Sequence, residues 1–362
     1  MRTSPVTGAP ILSVLTLSAL LLAGVAVAQS KDIIVIVKAT NSPYWQIVLS
    51  GAKQAGKDYG VNVLAQGAAA ESDIAGQIGI LENAVARKPM AIVISPTASD
   101  PLGAPINAVA AAKIPLIMID SGAKTTAYTS FLTTNNFNAG GLAADALAAD
   151  IKARTGKAEG KVAIMTSLPG VGSLTARDNG FKDTLAKKYP GLKVVANRYG
   201  DDDATKALSV MLDILSANPD LVGVFADNLT MGVGVGKAIE EQKAAKKVSA
   251  ISFDSSDQLV TYLKSGAIDS LIIQDPYMMG YGGVRARKPF FDLAQFQQHG
   301  AASFLLPKVL APCQTRRGTV RTVRPTAPAL DLALPEFRSP APAYSCRSCA
   351  SRNRAGPESE RC

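Results

Sequence analysis

The chain has 362 residues, 47% of them hydrophobic, which is enough for two domains with sizeable cores and excludes wholesale disorder. Its formal charge of +9 is unevenly placed: residues 1–284 carry 25 Lys and Arg against 24 Asp and Glu, and residues 285–362 carry 13 against 5. The near-neutral body excludes the basic footprint of a nucleic-acid binder, and having no His or Cys before residue 285 excludes the usual nucleophile–base and zinc chemistries.

Reading from the N-terminus, Arg2 precedes an apolar run from Ile11 to Val27 that ends in Ala26-Val27-Ala28. The run is at the lower limit for a membrane span, and its small residues stand at the −3 and −1 positions of a cleavage site. Residues 1–28 are therefore predicted to be a removable export signal, cut near Ala28, with a periplasmic mature protein. Val25 stands where a lipoprotein signal needs cysteine, so no lipid anchor is expected.

After the signal, short β-branched runs alternate with helix-length segments. Strands are predicted over 33–37, 61–66, 91–95, 116–119, 161–166, 192–198, 221–225, 249–253 and 270–274. Near-continuous apolar strands separated by helices mean parallel sheets covered on both faces, an α/β fold of the doubly wound kind. The helices have readable ends. The Ala-rich stretch from Asn138 to Thr155 stops at Gly156, and Asp203 opens a helix to Ala217 with an acid at its positive end. Pro101 falls in a first helical turn behind Ser99. Near residues 120–135 a polar stretch replaces a helix and predicts a crossover into a second lobe.

Ligands of open α/β sheets bind beyond the carboxyl ends of the strands, and the residues there are polar in this chain. They are Asn41 and Ser42 with Tyr44 and Trp45, Ser95, Asp120-Ser121, Asp227-Asn228, Asp254-Ser255-Ser256 and Gln274-Asp275. Aspartate accepts hydrogen bonds, amides both donate and accept, and aromatic rings offer flat apolar faces. That combination suits a polyhydroxylated ligand such as a sugar or polyol. Each residue taken singly reads equally as a helix cap; recurrence at successive strand ends favours a site.

The ordered segments ATNSPYWQIVLSGAKQAGKDYGVNV, VISPTASD, PLIMID, GSLTARDNGF, VFADN, ISFDSSD and IIQDPYMMGYGGV resemble the ribose-type periplasmic sugar-binding proteins, from about Asp32 to Gly283. The resemblance implies two similar doubly wound lobes joined by crossovers, the type I periplasmic binding protein fold, with ligand held in the interlobe cleft. It places 31–122 plus 256–284 in the N-terminal lobe and 123–255 in the C-terminal lobe. It also implies a monomer without cofactor or metal that captures a small-molecule sugar by hinge closure, performs no chemistry on it and delivers it to the membrane permease of an ABC transporter. The alternative within the same fold is a sensory binder that presents its ligand to a chemoreceptor or sensor kinase.

By position, the resemblance assigns Ser42, Tyr44 and Trp45 to the first ligand loop, and Asp120 to an aspartate that binds hydroxyls. Asn228, Asp254 and Gln274 match the polar residues of later strand ends. The ligand arginine of ribose binders falls at Thr175, two residues short of Arg177, which is either a ligand residue or structural. Ser121 stands where many members carry arginine, and Asp202 where ribose binders stack a phenylalanine, so a sugar other than ribose is expected.

Three further signals read as structure. Gly232, Gly234 and Gly236 lack the spacing of a phosphate loop and predict close packing instead. Asp201-Asp202-Asp203 lacks calcium-loop spacing and reads as a helix cap with one residue free to reach the cleft. Cys346 and Cys349 have no second pair to complete a zinc site. From Arg285 to Cys362 the family pattern ends in a basic Pro/Arg/Cys-rich stretch, the composition of a changed reading frame or of an extension without a core. A substitute helix over 289–298 and no fold beyond about 312 are expected there.

Overall fold

The computed structural model describes residues 30–286 and 304–307. The chain opens with β1 (Asp32–Ala39), α1 (Pro43–Tyr59), β2 (Asn62–Ala68), α2 (Ile74–Ala86), β3 (Ala91–Ile94), α3 (Gly103–Ala111), β4 (Leu116–Ile119) and β5 (Ser130–Leu132). These strands form one parallel sheet in the order β2-β1-β3-β4-β5. There follow α4 (Asn136–Thr155), β6 (Gly160–Thr166), α5 (Gly172–Lys188), β7 (Leu192–Tyr199), α6 (Ala204–Ala217) and β8 (Leu221–Ala226). The last described elements are α7 (Leu229–Glu241), β9 (Ser249–Phe253), α8 (Asp257–Ser265), β10 (Ser270–Ile273), α9 (Pro276–Arg285) and β11 (Phe304–Pro307). They build a second sheet, β11-β10-β9-β8-β6-β7, parallel except for β11, which runs antiparallel to β10.

Both sheets are buried on both faces, because successive side chains of an apolar strand point to opposite sides. In β1, Ile33, Val35 and Val37 join a core with α1 and α9, while Ile34 and Ile36 join another with α2 and α3. In β6, Ala163 and Met165 face α6 and α7, while Val162 and Ile164 face α4 and α5. Each lobe also carries one tight helix pair. A Cβ at Gly280 of α9 would lie 1.9 Å from the Val48 carbonyl oxygen of α1, and one at Gly180 of α5 would lie 1.9 Å from the Phe137 carbonyl oxygen of α4. Only glycine permits such a backbone approach.

The lobe boundaries differ from those read off the sequence. The polar stretch after Asp120 is a loop that returns to the first sheet through β5, so the passage to the second lobe comes only at 133–135. The segment 256–284 is divided: α8 packs on α7 and β10 pairs with β9, both in the second lobe, and α9 alone returns to pack on α1. Leu271 and Ile272, apolar on opposite faces, fit a strand flanked by helices on both sides of the second sheet. Three glycines of α7 pack closely, as expected: a Cβ at Gly232, Gly234 or Gly236 would meet Ser252, Ala207 or Tyr262. The export signal over 1–28 and the expectations for 289–298 and beyond 312 lie outside the described residues; β11 is the one described element past residue 286.

Candidate functional site

The carboxyl ends of both sheets face one cleft, and two aspartates mark its walls. Asp120 follows β4 and Asp254 follows β9, each in the left-handed region, with φ of 59° and 66°. Each backbone N–H donates to a neighbouring strand, Asp120 to the Leu132 carbonyl at 2.9 Å and Asp254 to the Ile272 carbonyl at 2.8 Å. Non-glycine residues are held at positive φ where surrounding structure over-determines them, often at functional sites.

Asp120 is the hub of the first wall. Lys38, from the end of β1, places its ammonium 3.0 Å from Asp120 Oδ2 and donates to Ser121 Oγ at 2.8 Å. Ser95 and Ser121 donate to Asp120 Oδ2 at 3.0 and 2.8 Å, and the Tyr44 hydroxyl donates to Oδ1 at 3.3 Å. Burial pushes the Asp120 carboxyl up, but the charges of Lys38 and Arg177 and these hydrogen bonds outweigh it and hold the group below its ordinary value. Tyr44 and Trp45 sit edge to face at the start of α1, with centroids 4.9 Å apart, and Lys38 Nζ lies 5.5 Å from the Trp45 ring centre. Trp45 donates its indole N–H to Glu71 Oε1 at 2.5 Å. Ser42 stands at the N-cap of α1 in extended conformation and makes no side-chain capping bond, which leaves its hydroxyl to the cleft.

The second wall centres on Arg177. Its guanidinium lies 3.9 Å from the centre of the Phe253 ring, and it donates to Asn136 Oδ1 and to the Asp227 carbonyl, both at 2.8 Å. The side chain is thus both structural and cleft-lining. Asn228 serves twice: its Oδ1 caps α7 at Met231 N, and its Nδ2 donates to Asp202 Oδ1 at 3.0 Å. Asp202 also accepts from Ser167 at 2.9 Å, while its neighbour Asp203 caps α6. Beneath Arg177, Asp227 and Asp178 are raised above the ordinary carboxylate range, first by burial, and Asp227 next by the charge of Asp178.

Several bonds cross between the lobes. Ser121 Oγ and Ser173 Oγ lie 2.7 Å apart; because the Ser121 proton goes to Asp120, Ser173 is the donor. Ser99 N–H donates to the Gly170 carbonyl at 2.9 Å. Thr134, on the first passage between lobes, donates to Gln274 on the second at 2.8 Å, and Gln274 donates on to Asp254 Oδ1 at 2.8 Å.

Eight of the ten residues singled out in the sequence line this cleft: Ser42, Tyr44, Trp45, Asp120, Arg177, Asn228, Asp254 and Gln274. Ser121 lies directly behind Asp120. Thr175 does not belong: it is exposed on α5 and faces a separate groove with Ile74 and Pro101. Residues two apart on a helix point to different sides, so Thr175 and Arg177 cannot share the cleft. Sequence reasoning missed Lys38, Glu71, Ser173 and Thr230. Lys38 carried a signal, a charge at the carboxyl end of a strand apolar from Ile33 to Val37; Glu71 carried none. The open space inside the cleft is about 30 Å³, little more than one water needs.

The model of the periplasmic binding protein domain matches residues 33–288. The chain belongs to this family. The ribose import binding protein of Haemophilus influenzae is 30% identical over 276 residues, covering 74% of this chain and 89% of that protein. The carbohydrate transporter solute binding protein of Agrobacterium radiobacter, solved in complex with D-arabinose, is 52% identical and superposes with a TM-score of 0.73 over 78% of this chain and 96% of its own. An ABC transporter solute binding protein of Agrobacterium vitis with bound D-fucose is 34% identical, with a TM-score of 0.70 over 76% and 95%. These family members are substrate-binding components of transport systems, and the two-lobed architecture described above is the one they share.

Proposed function

We propose that this protein captures a monosaccharide of pentose size from the periplasm, by closure of its two lobes, for an ABC-type permease. The observation that carries the reading is the convergence, from both lobes, of groups suited to a ring of hydroxyls. Acceptors Asp120 and Asp254 face donors Lys38 and Arg177, with Asn228 and Gln274 able to do both, beside the aromatic pair Tyr44 and Trp45. The 52% identity to a protein solved with D-arabinose supports an aldopentose. No step of bond-making is assigned to these residues; they bind. The protein acts as a monomer after removal of residues 1–28, and hinge motion at the passages 133–135 and 274–275 opens and closes the cleft.

A thermal-shift panel of D-arabinose, D-ribose, D-fucose, D-galactose and D-allose tests this. A ligand that binds only the folded state at a hundredfold excess over its dissociation constant stabilises by about 2.7 kcal/mol. A rise of the melting midpoint with D-arabinose is expected, with smaller shifts for hexoses. A cooperative melt moved by none of these sugars would overturn the reading.

A further inference from the structure

Gln274 lines the cleft from the end of β10, at the second passage between the lobes, and is buried. Its amide is gripped from both sides. Nε2 donates to Asp254 Oδ1 at 2.8 Å, and Oε1 accepts the Thr134 hydroxyl at 2.8 Å. An amide nitrogen carries two protons, so one N–H is left for the cleft that Gln274 and Asp254 share. A carboxylate keeps lone pairs to spare after one bond. A ligand hydroxyl at this corner can therefore accept from Gln274 and donate to Asp254 together. With the amide turned over, Oε1 would face Asp254 Oδ1, acceptor against acceptor, and the cleft would meet a carbonyl in place of an N–H.

Thr134 stands behind Gln274 on the first passage, 2% exposed and outside the set of residues that line the cleft. Its place is a built one. The Thr134 carbonyl accepts from Asn136 Nδ2 at 3.0 Å, and Asn136 Oδ1 holds Arg177 Nε at 2.8 Å. One turn of chain thus sets both the cleft arginine and the donor behind Gln274. Branching at Cβ restricts χ1 and keeps the hydroxyl aimed, and its single proton goes to Gln274.

We propose that Thr134 is a positioning residue for sugar specificity: its hydroxyl fixes the polarity of the Gln274 amide, so that this corner of the cleft presents an N–H beside a carboxylate and selects a ligand hydroxyl there. The proposal rests on the sugar-binding reading above. Without the Thr134 proton, Oε1 is a buried acceptor that has lost its donor, and the amide is held from the Asp254 side alone.

The test is calorimetric titration of D-arabinose into the wild type, Thr134→Val and Thr134→Ser. Valine keeps the branched shape and removes the proton, whereas serine keeps the proton. Affinity is expected to fall at least about fivefold in Thr134→Val, the cost of one unpaired buried acceptor, and to stay within about twofold in Thr134→Ser. In a Gln274→Met background the same Thr134→Val change is expected to cost less than about twofold, because its effect runs through the amide. A second arm needs no sugar. In protein carrying isotope-labelled glutamine, the side-chain amide NMR signal that is lost in Gln274→Met belongs to Gln274. Its exchange with solvent is expected to quicken at least about tenfold in Thr134→Val and not in Thr134→Ser. Failure of the wild type to bind any sugar would sink the sugar reading and leave the amide signal to decide whether Thr134 fixes Gln274. Equal affinity in the wild type and Thr134→Val, an equal loss with and without Gln274, or an amide signal unmoved by Thr134→Val would overturn the proposal.

Discussion

Replacing Lys38 with methionine keeps the apolar stem and deletes one charge of a pair whose side chains are 4% and 5% exposed. The remaining Asp120 carboxylate would keep only neutral hydroxyl donors, Ser95, Ser121 and Tyr44. Removing one partner of a buried ion pair costs about 3–5 kcal/mol, and neither group is exposed enough for solvent to screen the loss. The three hydroxyls and the charge of Arg177 place the expected cost at the lower end, about 3 kcal/mol. The sign with pH follows from the depressed pKa of Asp120. Its stabilising contribution is present above the unfolded value and is lost as pH falls through the folded one. The difference between wild type and Lys38→Met should therefore shrink below about pH 4. Urea unfolding at neutral pH and at low pH measures both quantities by linear extrapolation. The double variant Lys38→Met with Asp120→Asn is expected to recover much of the loss, because it leaves no unpaired buried charge. A single variant within about 1 kcal/mol of the wild type at neutral pH would refute the reasoning.

Other outcomes follow from the same geometry. Arg177→Lys keeps the charge but loses the flat contact with Phe253 and the fork that reaches Asn136 and the Asp227 carbonyl, so D-arabinose affinity should fall at least about tenfold by calorimetry. Gly280→Ala drives a methyl against the Val48 carbonyl and should lower stability by about 3 kcal/mol in urea unfolding, through separation of α9 from α1. Thr175→Ala, outside the cleft, should leave sugar affinity within about twofold of the wild type, whereas Ser173→Ala removes the donor to Ser121 across the lobes and should weaken it.

How much was legible in the sequence depended on the range of the physics involved. Strands such as Ala91–Ile94 and Leu116–Ile119 stand out because burial on both faces requires an unbroken apolar run, a local signal. β5 is three residues, Ser-Phe-Leu, inside a polar stretch, and only its pairing with β4 makes it a strand. Assignment of β10 to the second lobe is likewise a matter of partners, since its own residues suit either sheet. The site aspartates were visible because Asp120 and Asp254 each close a strand. Glu71 was not, because its partner Trp45 lies 26 positions away in the chain, and the charge of Lys38 at a strand end did not disclose its partner Asp120, 82 positions away. The choice between Thr175 and Arg177 was open in the sequence and was decided by the rotation of α5 against α4, where Gly140 and Gly180 seat the two backbones.

The central claim is that groups from both lobes, meeting at Asp254, hold a pentose-sized sugar in this cleft. Parallel calorimetric titration of D-arabinose into the wild type and Asp254→Ala tests it most directly. One-site binding by the wild type, abolished or weakened at least about a hundredfold in the variant, is the expected result, since Asp254 also fixes Gln274. Equal binding by the two proteins would contradict the account.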